Sequence, residues 1–292
     1  MILELHNKAV FAAIDTMGAQ LISLRDALGT EYLWQGNPKY WKGQAPILFP
    51  IVGRLRDGKT VIDGKEYKMG RHGFARNREF RCVMKTDDSV TLSLHSDEDT
   101  KKEYPFDFTL MIAYRLNDCT LSVEFSVINM GKEEMPYSIG GHPAFNVPVL
   151  PEERFEDYSI QFEKNEEQSC PVFDFSTELI DYINCVPVLH QEKIIPLRHD
   201  LFDKDALVFH QLNSNKVSLV SRLSGRGVEM DFSDFPYLGI WSAKGETPFV
   251  ALEPWAGCGA CTDEDDDFRK KRGMRNLPPN GSESLKFFVT VL

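Results

Sequence analysis

The sequence predicts an all-β protein, a large antiparallel β-sandwich, and three observations carry that reading. Apolar and polar residues alternate with period two in several windows. Turn-forming residues punctuate those windows. Good amphipathic helices are scarce. In chain order, Val90, Leu92 and Leu94 alternate with Thr91, Ser93 and His95, as a strand with one buried face requires. The segment from Thr109 to Leu116 runs into Asn117-Asp118, a hairpin-like junction. Beyond it, Leu121, Val123, Phe125 and Val127 alternate with Ser122, Glu124 and Ser126. The stretch from Ser176 to Asn184 reads as a short helix. Val228, Met230 and Phe232 then alternate with Glu229 and Asp231. Pro278-Pro279-Asn280-Gly281 marks a turn before a Phe- and Val-rich strand from Leu285 to Leu292. No linker, low-complexity tract or internal repeat intervenes, so residues 1–292 read as a single domain.

Composition narrows the function classes. The chain has 292 residues, with 33 basic and 44 acidic side chains and a formal net charge of -11. A nucleic-acid binder normally carries a basic stripe, so this balance argues against one. It also disfavours an anionic membrane surface, and no run of apolar residues reaches spanning length. The start, Met1-Ile2-Leu3-Glu4-Leu5-His6, has neither a positive region nor an apolar run of signal length. Six cysteines without a signal segment are expected as reduced thiols, and the expected location is cytoplasmic.

Three short segments carry the chemistry. They read Arg71-His72-Gly73-Phe74-Ala75-Arg76, Gly140-Gly141-His142-Pro143-Ala144-Phe145-Asn146 and Ala251-Leu252-Glu253-Pro254-Trp255. Each sets one titratable side chain among glycines, prolines and aromatics. Two histidines and a carboxylate can move protons near neutral pH. Neighbouring aromatics offer flat apolar faces of the kind a sugar ring packs on. Glu253 ends an apolar run, Phe249-Val250-Ala251-Leu252, so burial is expected to raise its pKa toward that of a useful base.

With these segments stand Gly18-Ala19-Gln20-Leu21-Ile22-Ser23-Leu24, Tyr32-Leu33-Trp34, Leu48-Phe49-Pro50-Ile51-Val52-Gly53-Arg54 and Asp63-Gly64-Lys65-Glu66-Tyr67. Together, and in this order along nearly the whole chain, they resemble the aldose 1-epimerase (galactose mutarotase-like) family, in its LacX-like branch. The resemblance implies a sandwich of the galactose mutarotase-like type with a sugar site on a concave sheet face. It implies interconversion of α and β anomers of a free aldose, with no cofactor. By the same likeness Glu253 is the base, His142 the acid at the ring oxygen, and His72 a second active-site histidine. Arg54 is placed near the sugar hydroxyls. The sugar-binding aspartate is expected just before Leu207-Val208-Phe209, as Asp205 with Asp203 the fallback. Trp255 is the first stacking candidate and Trp241 the second.

The substrate class is less settled. His-Gly-Phe-Ala-Arg is shared with relatives acting on hexose 6-phosphates, and Arg76 belongs to that motif. Those relatives carry a further Arg-Gly-Gly, where this chain reads Gly43-Gln44-Ala45-Pro46. Convergent arginines grip phosphate better than one, so a neutral aldose is expected, with a hexose 6-phosphate as the alternative and Arg76 free to brace its loop. Arg56 and Arg78 are other basic groups that can reach the pocket. A sugar-binding or regulatory protein on the same fold is a second class. A glycoside hydrolase is a third, weakened because hydrolysis normally uses two carboxylates.

Other features read as bland. Cys258-Gly259-Ala260-Cys261 has no second cysteine pair to complete a zinc site. Asp263-Glu264-Asp265-Asp266-Asp267 lacks the glycine and terminal glutamate of a calcium loop, and Arg269-Lys270-Lys271-Arg272 balances it. No metal is expected. The expected partner is a small sugar, and the chain is expected to be a monomer or homodimer.

Overall fold

Each alternating window is a strand in the computed structural model, which describes Met1–Leu292. Thr120–Asn129 shows the cause most plainly. Every second residue, from Leu121 to Asn129, is buried, and the residues between are half-exposed. Its hairpin partner, Phe108–Asn117, pairs Asn117 with Thr120 and Phe108 with Asn129 across the Asn117-Asp118 junction. Asp118 has a positive φ of 48°, which a tight hairpin demands and Asp tolerates.

Nine antiparallel strands form the larger sheet. In spatial order they are Leu179–Pro196, Tyr158–Asp174, Lys216–Ser221, Gly227–Asp231, Ser282–Val291, Thr120–Asn129, Phe108–Asn117, Ser89–His95 and Arg81–Lys85. A second sheet runs Leu207–His210, Tyr237–Trp241, Phe249–Ala256, Ile139–Gly141 and Ile47–Leu48, with Ala144–Asn146 also pairing on Phe249–Ala256. Three strands, Ile2–His6, Val10–Asp15 and Gln20–Asp26, make a separate small sheet. The sheets enclose a core of 67 buried apolar residues, including Phe125 and Phe287 from the large sheet and Leu238, Ile240, Val250 and Leu252 from the second. Each such side chain contributes about 1.5–3 kcal/mol on burial. The only α-helix is one turn, Thr100–Glu103, and no helix is long and apolar enough to cross a membrane.

The central strand of the second sheet, Phe249–Ala256, is buried at all eight residues. Its alternation therefore sorts two buried faces rather than core from solvent. Val250, Leu252 and Ala256 join the main core. Phe249, Ala251, Glu253 and Trp255 take the other face, which on the neighbouring strand carries Gly239 and Trp241.

The segment from Ser176 to Asn184 is not a helix. Asp174 accepts hydrogen bonds from the Ser176 N–H and hydroxyl at 2.8 and 2.7 Å, closing a turn, and Leu179 starts an 18-residue strand. Pairing with Tyr158–Asp174 and the Ile180 bridge to Cys261 override a weak local helical pattern.

Candidate active site

Three loop systems converge on that second face. The first is the His72 turn. His72 has φ 66° and Gly73 φ 69°, so the chain bends left-handed at both. A Cβ on Gly73 would lie 2.2 Å from the Phe49 carbonyl oxygen, so only glycine fits. Backbone bonds from the His72 N–H to the Gly53 oxygen (2.7 Å) and from the Phe49 N–H to the His72 oxygen (3.2 Å) lace this turn to residues 49–53. The second is the break between Ile139–Gly141 and Ala144–Asn146, where His142 and Pro143 leave the ladder. The His142 N–H bonds the Pro46 oxygen at 3.1 Å, and the Leu252 N–H bonds the Pro143 oxygen at 3.0 Å. The third is the approach to Leu207–His210, where Asp205 sits at φ 79° and its carboxylate accepts the Ala206 N–H at 2.8 Å.

These loops and the sheet surround a pocket of about 270 Å³, near the lower end of the ~300–1,000 Å³ common for small-molecule sites. All seven residues singled out from the sequence line it: Arg54, His72, Arg76, His142, Asp205, Glu253 and Trp255. Trp241 lines it too. Asp203 does not, because it ends the 3-10 turn His199–Phe202 two residues earlier.

At the pocket floor His142 Nε2 lies 3.2 Å from Glu253 Oε1, with both side chains buried. Burial pushes Glu253 well above the usual carboxylate range, and the Asp205 charge adds to the rise. Arg71 and the Trp255 indole pull the other way, although the indole N–H lies outside hydrogen-bonding geometry of any partner. Burial drives His142 down to about 3, with the Arg76 and Arg71 charges acting in the same direction. His72 is held well below its ordinary value by burial and by His142, Arg76, Arg71 and Arg54. Both rings are thus neutral at neutral pH. His72 Nδ1 accepts the Gly53 N–H at 3.1 Å, so its Nε2 carries the proton and is a donor. The two imidazoles stand perpendicular, 5.6 Å apart.

The arginines depart from expectation. Arg76 braces nothing: burial alone perturbs it, and no side-chain partner holds it. Arg71, whose neighbour His72 drew the attention, also lines the pocket without a hydrogen-bonded partner. Arg54 pairs with Glu178 at the rim. Arg56 is engaged by Asp266 and three backbone carbonyls, and Arg78 by Glu103, so neither reaches the pocket. Trp41, read from the sequence with most tryptophans as core, also lines the pocket and stacks on His142 at 4.9 Å and 27°. Arg71 was visible inside its motif. The left-handed bend that turns it inward was not.

Cys258 and Cys261, which flank the pocket-lining Gly259 and Ala260, are free and buried, and no group of three or more His, Cys, Asp or Glu has metal-binding geometry. The acidic run is ion-paired: Asp263 to Arg272, Asp265 and Asp267 to Lys270, and Glu264 to a buried Lys271.

Comparison with known proteins agrees with this architecture. The family model for aldose 1-epimerase matches residues 1–271. The plasmid-borne protein LacX of Lactococcus lactis subsp. lactis is 39% identical, with all of both chains covered. A galactose mutarotase related enzyme from Lactobacillus acidophilus superposes with a TM-score of 0.95 at 34% identity, over 100% of this chain and 97% of that one. A galactose mutarotase-like protein from Lactobacillus casei superposes at 0.91 and 32%, over the full length of both. A family match across nearly the whole chain, joined to full-length relatives above 30% identity on the same fold, leaves one conclusion: the chain belongs to the aldose 1-epimerase family.

Proposed function

We propose that the protein catalyses 1-epimerisation of an aldose, with His142 and Glu253 as the proton-transfer pair. The observation that carries this is their 3.2 Å contact at the floor of a sugar-sized pocket. In the forward step Glu253 takes the proton from the anomeric O1–H. His142 Nε2 gives a proton to the ring oxygen O5. The electrons of the O1–H bond form the aldehyde C=O as the C1–O5 bond breaks. Rotation about C1–C2 presents the other face of the aldehyde. The hydroxyl at C5 attacks it, returning its proton to His142 while Glu253 reprotonates O1. No atom is gained or lost, so no co-substrate is required.

The pair needs one shared proton. On Glu253 that proton leaves both groups neutral, which burial favours. On His142 it gives carboxylate and imidazolium, the working form. A sugar bringing O1–H to the carboxylate and O5 to the imidazolium supplies charge-assisted hydrogen bonds to that form. His72 Nε2–H and Asp205 serve as donor and acceptor for other hydroxyls, and Trp255 and Trp241 as apolar faces for the ring. Polarimetry of freshly dissolved α-glucose and α-galactose tests the reading. A protein-dependent acceleration is expected, lost in E253Q.

A second reading concerns the substrate's charge. Arg71 and Arg76 both line the pocket without a side-chain partner. Two convergent guanidiniums suit a phosphate, and they offset the argument drawn from the missing arginine at Gln44. A larger kcat/KM for glucose 6-phosphate than for glucose or galactose supports this reading. The reverse order supports a neutral aldose.

A further inference from the structure

The loop that lacks the relatives' arginine carries something else to the pocket. Its root is tied down by Gln44, whose side-chain amide donates to the Ile22 and Trp34 carbonyls at 2.9 and 3.1 Å. The Ala144 N–H bonds the Gln44 backbone carbonyl at 2.9 Å, so the same residue fixes the loop beside the His142 strand break. At the tip, Trp41 folds back over Gly43. A Cβ on Gly43 would lie 2.4 Å from the Trp41 ring, so glycine is what lets the indole occupy that place. The Trp34 indole N–H bonds the Trp41 carbonyl at 2.9 Å, fixing its backbone. So held, the Trp41 ring lies flat against the His142 imidazole at 4.9 Å, while Trp241 meets both rings edge-on at 5.4 Å.

We infer that Trp41 is a positioning residue for His142: its indole holds the imidazole in the plane that points Nε2 at Glu253, and covers that ring from water. The inference rests on the proposed proton-transfer role for its meaning in catalysis, but its physical content stands apart. His142 has few other restraints. Its Nδ1 has no partner, so no hydrogen bond to that nitrogen fixes the ring. The groups facing it are Glu253 on the central strand, His72, Arg71 and Arg76 on the neighbouring turn, and the two tryptophans. Among these only Trp41 presents a parallel face. Removing it leaves the ring free to rotate and opens one face to solvent, which relieves the burial that keeps the ring neutral. Burial by Trp41 and repulsion by Arg71 and Arg76 act in the same direction, so the arginines alone sustain only part of the effect.

The test is an NMR titration of the His142 imidazole in the full chain, run beside mutarotation kinetics, for the wild type, W41F, W41A and G43A. In the wild type the ring stays neutral down to about pH 3. In W41A, and in G43A where the new methyl displaces the indole, its titration moves up toward the ordinary histidine range. W41F, which keeps a flat ring, stays near the wild type. On the same variants kcat falls roughly 10- to 10²-fold in W41A and G43A, the scale for misplacing a catalytic group by about 1 Å, and recovers in W41F. An unchanged His142 titration in W41A overturns the inference. So does a raised KM with unchanged kcat, which assigns Trp41 to stacking on the sugar. If no variant, wild type included, accelerates mutarotation, the functional reading fails while the titration still decides the role of Trp41.

Discussion

At the residue scale the pocket floor holds two groups pushed in opposite directions. Glu253 is raised and His142 lowered, so the pair holds a single proton over a wide range of pH. The proposed mechanism needs that singly protonated pair. The pH profile of kcat/KM therefore shows no acid limb near 6.5, the ordinary histidine value, and a limb there contradicts the proposed pair. Alkaline loss begins only when the shared proton leaves at the raised Glu253 value. Replacing either partner removes one proton transfer, so H142A and E253Q each lose at least about 10²-fold in kcat. Stability moves the other way. Glu253 has a higher pKa folded than unfolded, so above pH 4.5 the unfolded chain ionises first and the wild type is progressively destabilised. E253Q removes that cost. Its Tm at pH 8 therefore exceeds the wild type's, and the gap closes as pH falls to 4.5. Equal gaps at both pH values contradict the burial of an ionisable Glu253.

At the element scale, the site is made where strands stop. His142 occupies the break between two short strands, and His72 a left-handed turn laced to residues 49–53. G73A tests that construction. The added methyl meets the Phe49 oxygen at 2.2 Å, so thermal unfolding comes earlier and kcat falls as His72 shifts; a variant of unchanged Tm and activity contradicts the close approach. The strands were legible because one-faced burial writes itself into period two, as in Thr120–Asn129. The pocket residues were legible because glycines, a proline and histidines cluster where backbone must bend. Ser176–Asn184 was misread because its strand identity comes from pairing with Tyr158–Asp174, a contact invisible locally. Trp41 reads as core because nothing in its own neighbourhood announces that Gly43 lets it fold onto His142, far away in the sequence. Arg71 was missed because neighbours diverge in an extended chain, and only the bend at His72 brings both inward.

For the whole molecule, charge and its distribution diverge. The chain carries a net charge of -11, yet its pocket gathers Arg54, Arg71 and Arg76 against Asp205, Glu178 and a Glu253 whose ionisation burial opposes. If the substrate is a phosphate ester, R71A and R76A raise its KM and leave that of the neutral sugar nearly unchanged. Equal effects on both sugars place these arginines on shared hydroxyls instead. The proposed proton transfers use protein side chains throughout, so exhaustive chelation is expected to leave the rate unchanged, and a loss restored by a divalent ion contradicts that. The most direct test of the central claim is the anomerisation rate, followed by NMR exchange between α and β signals, for wild type and folded E253Q over glucose, galactose and glucose 6-phosphate. The account predicts acceleration by the wild type on at least one of these sugars, reduced at least about 10²-fold in E253Q. Equal rates for the two proteins, or none above the buffer rate on any of the three, contradict it.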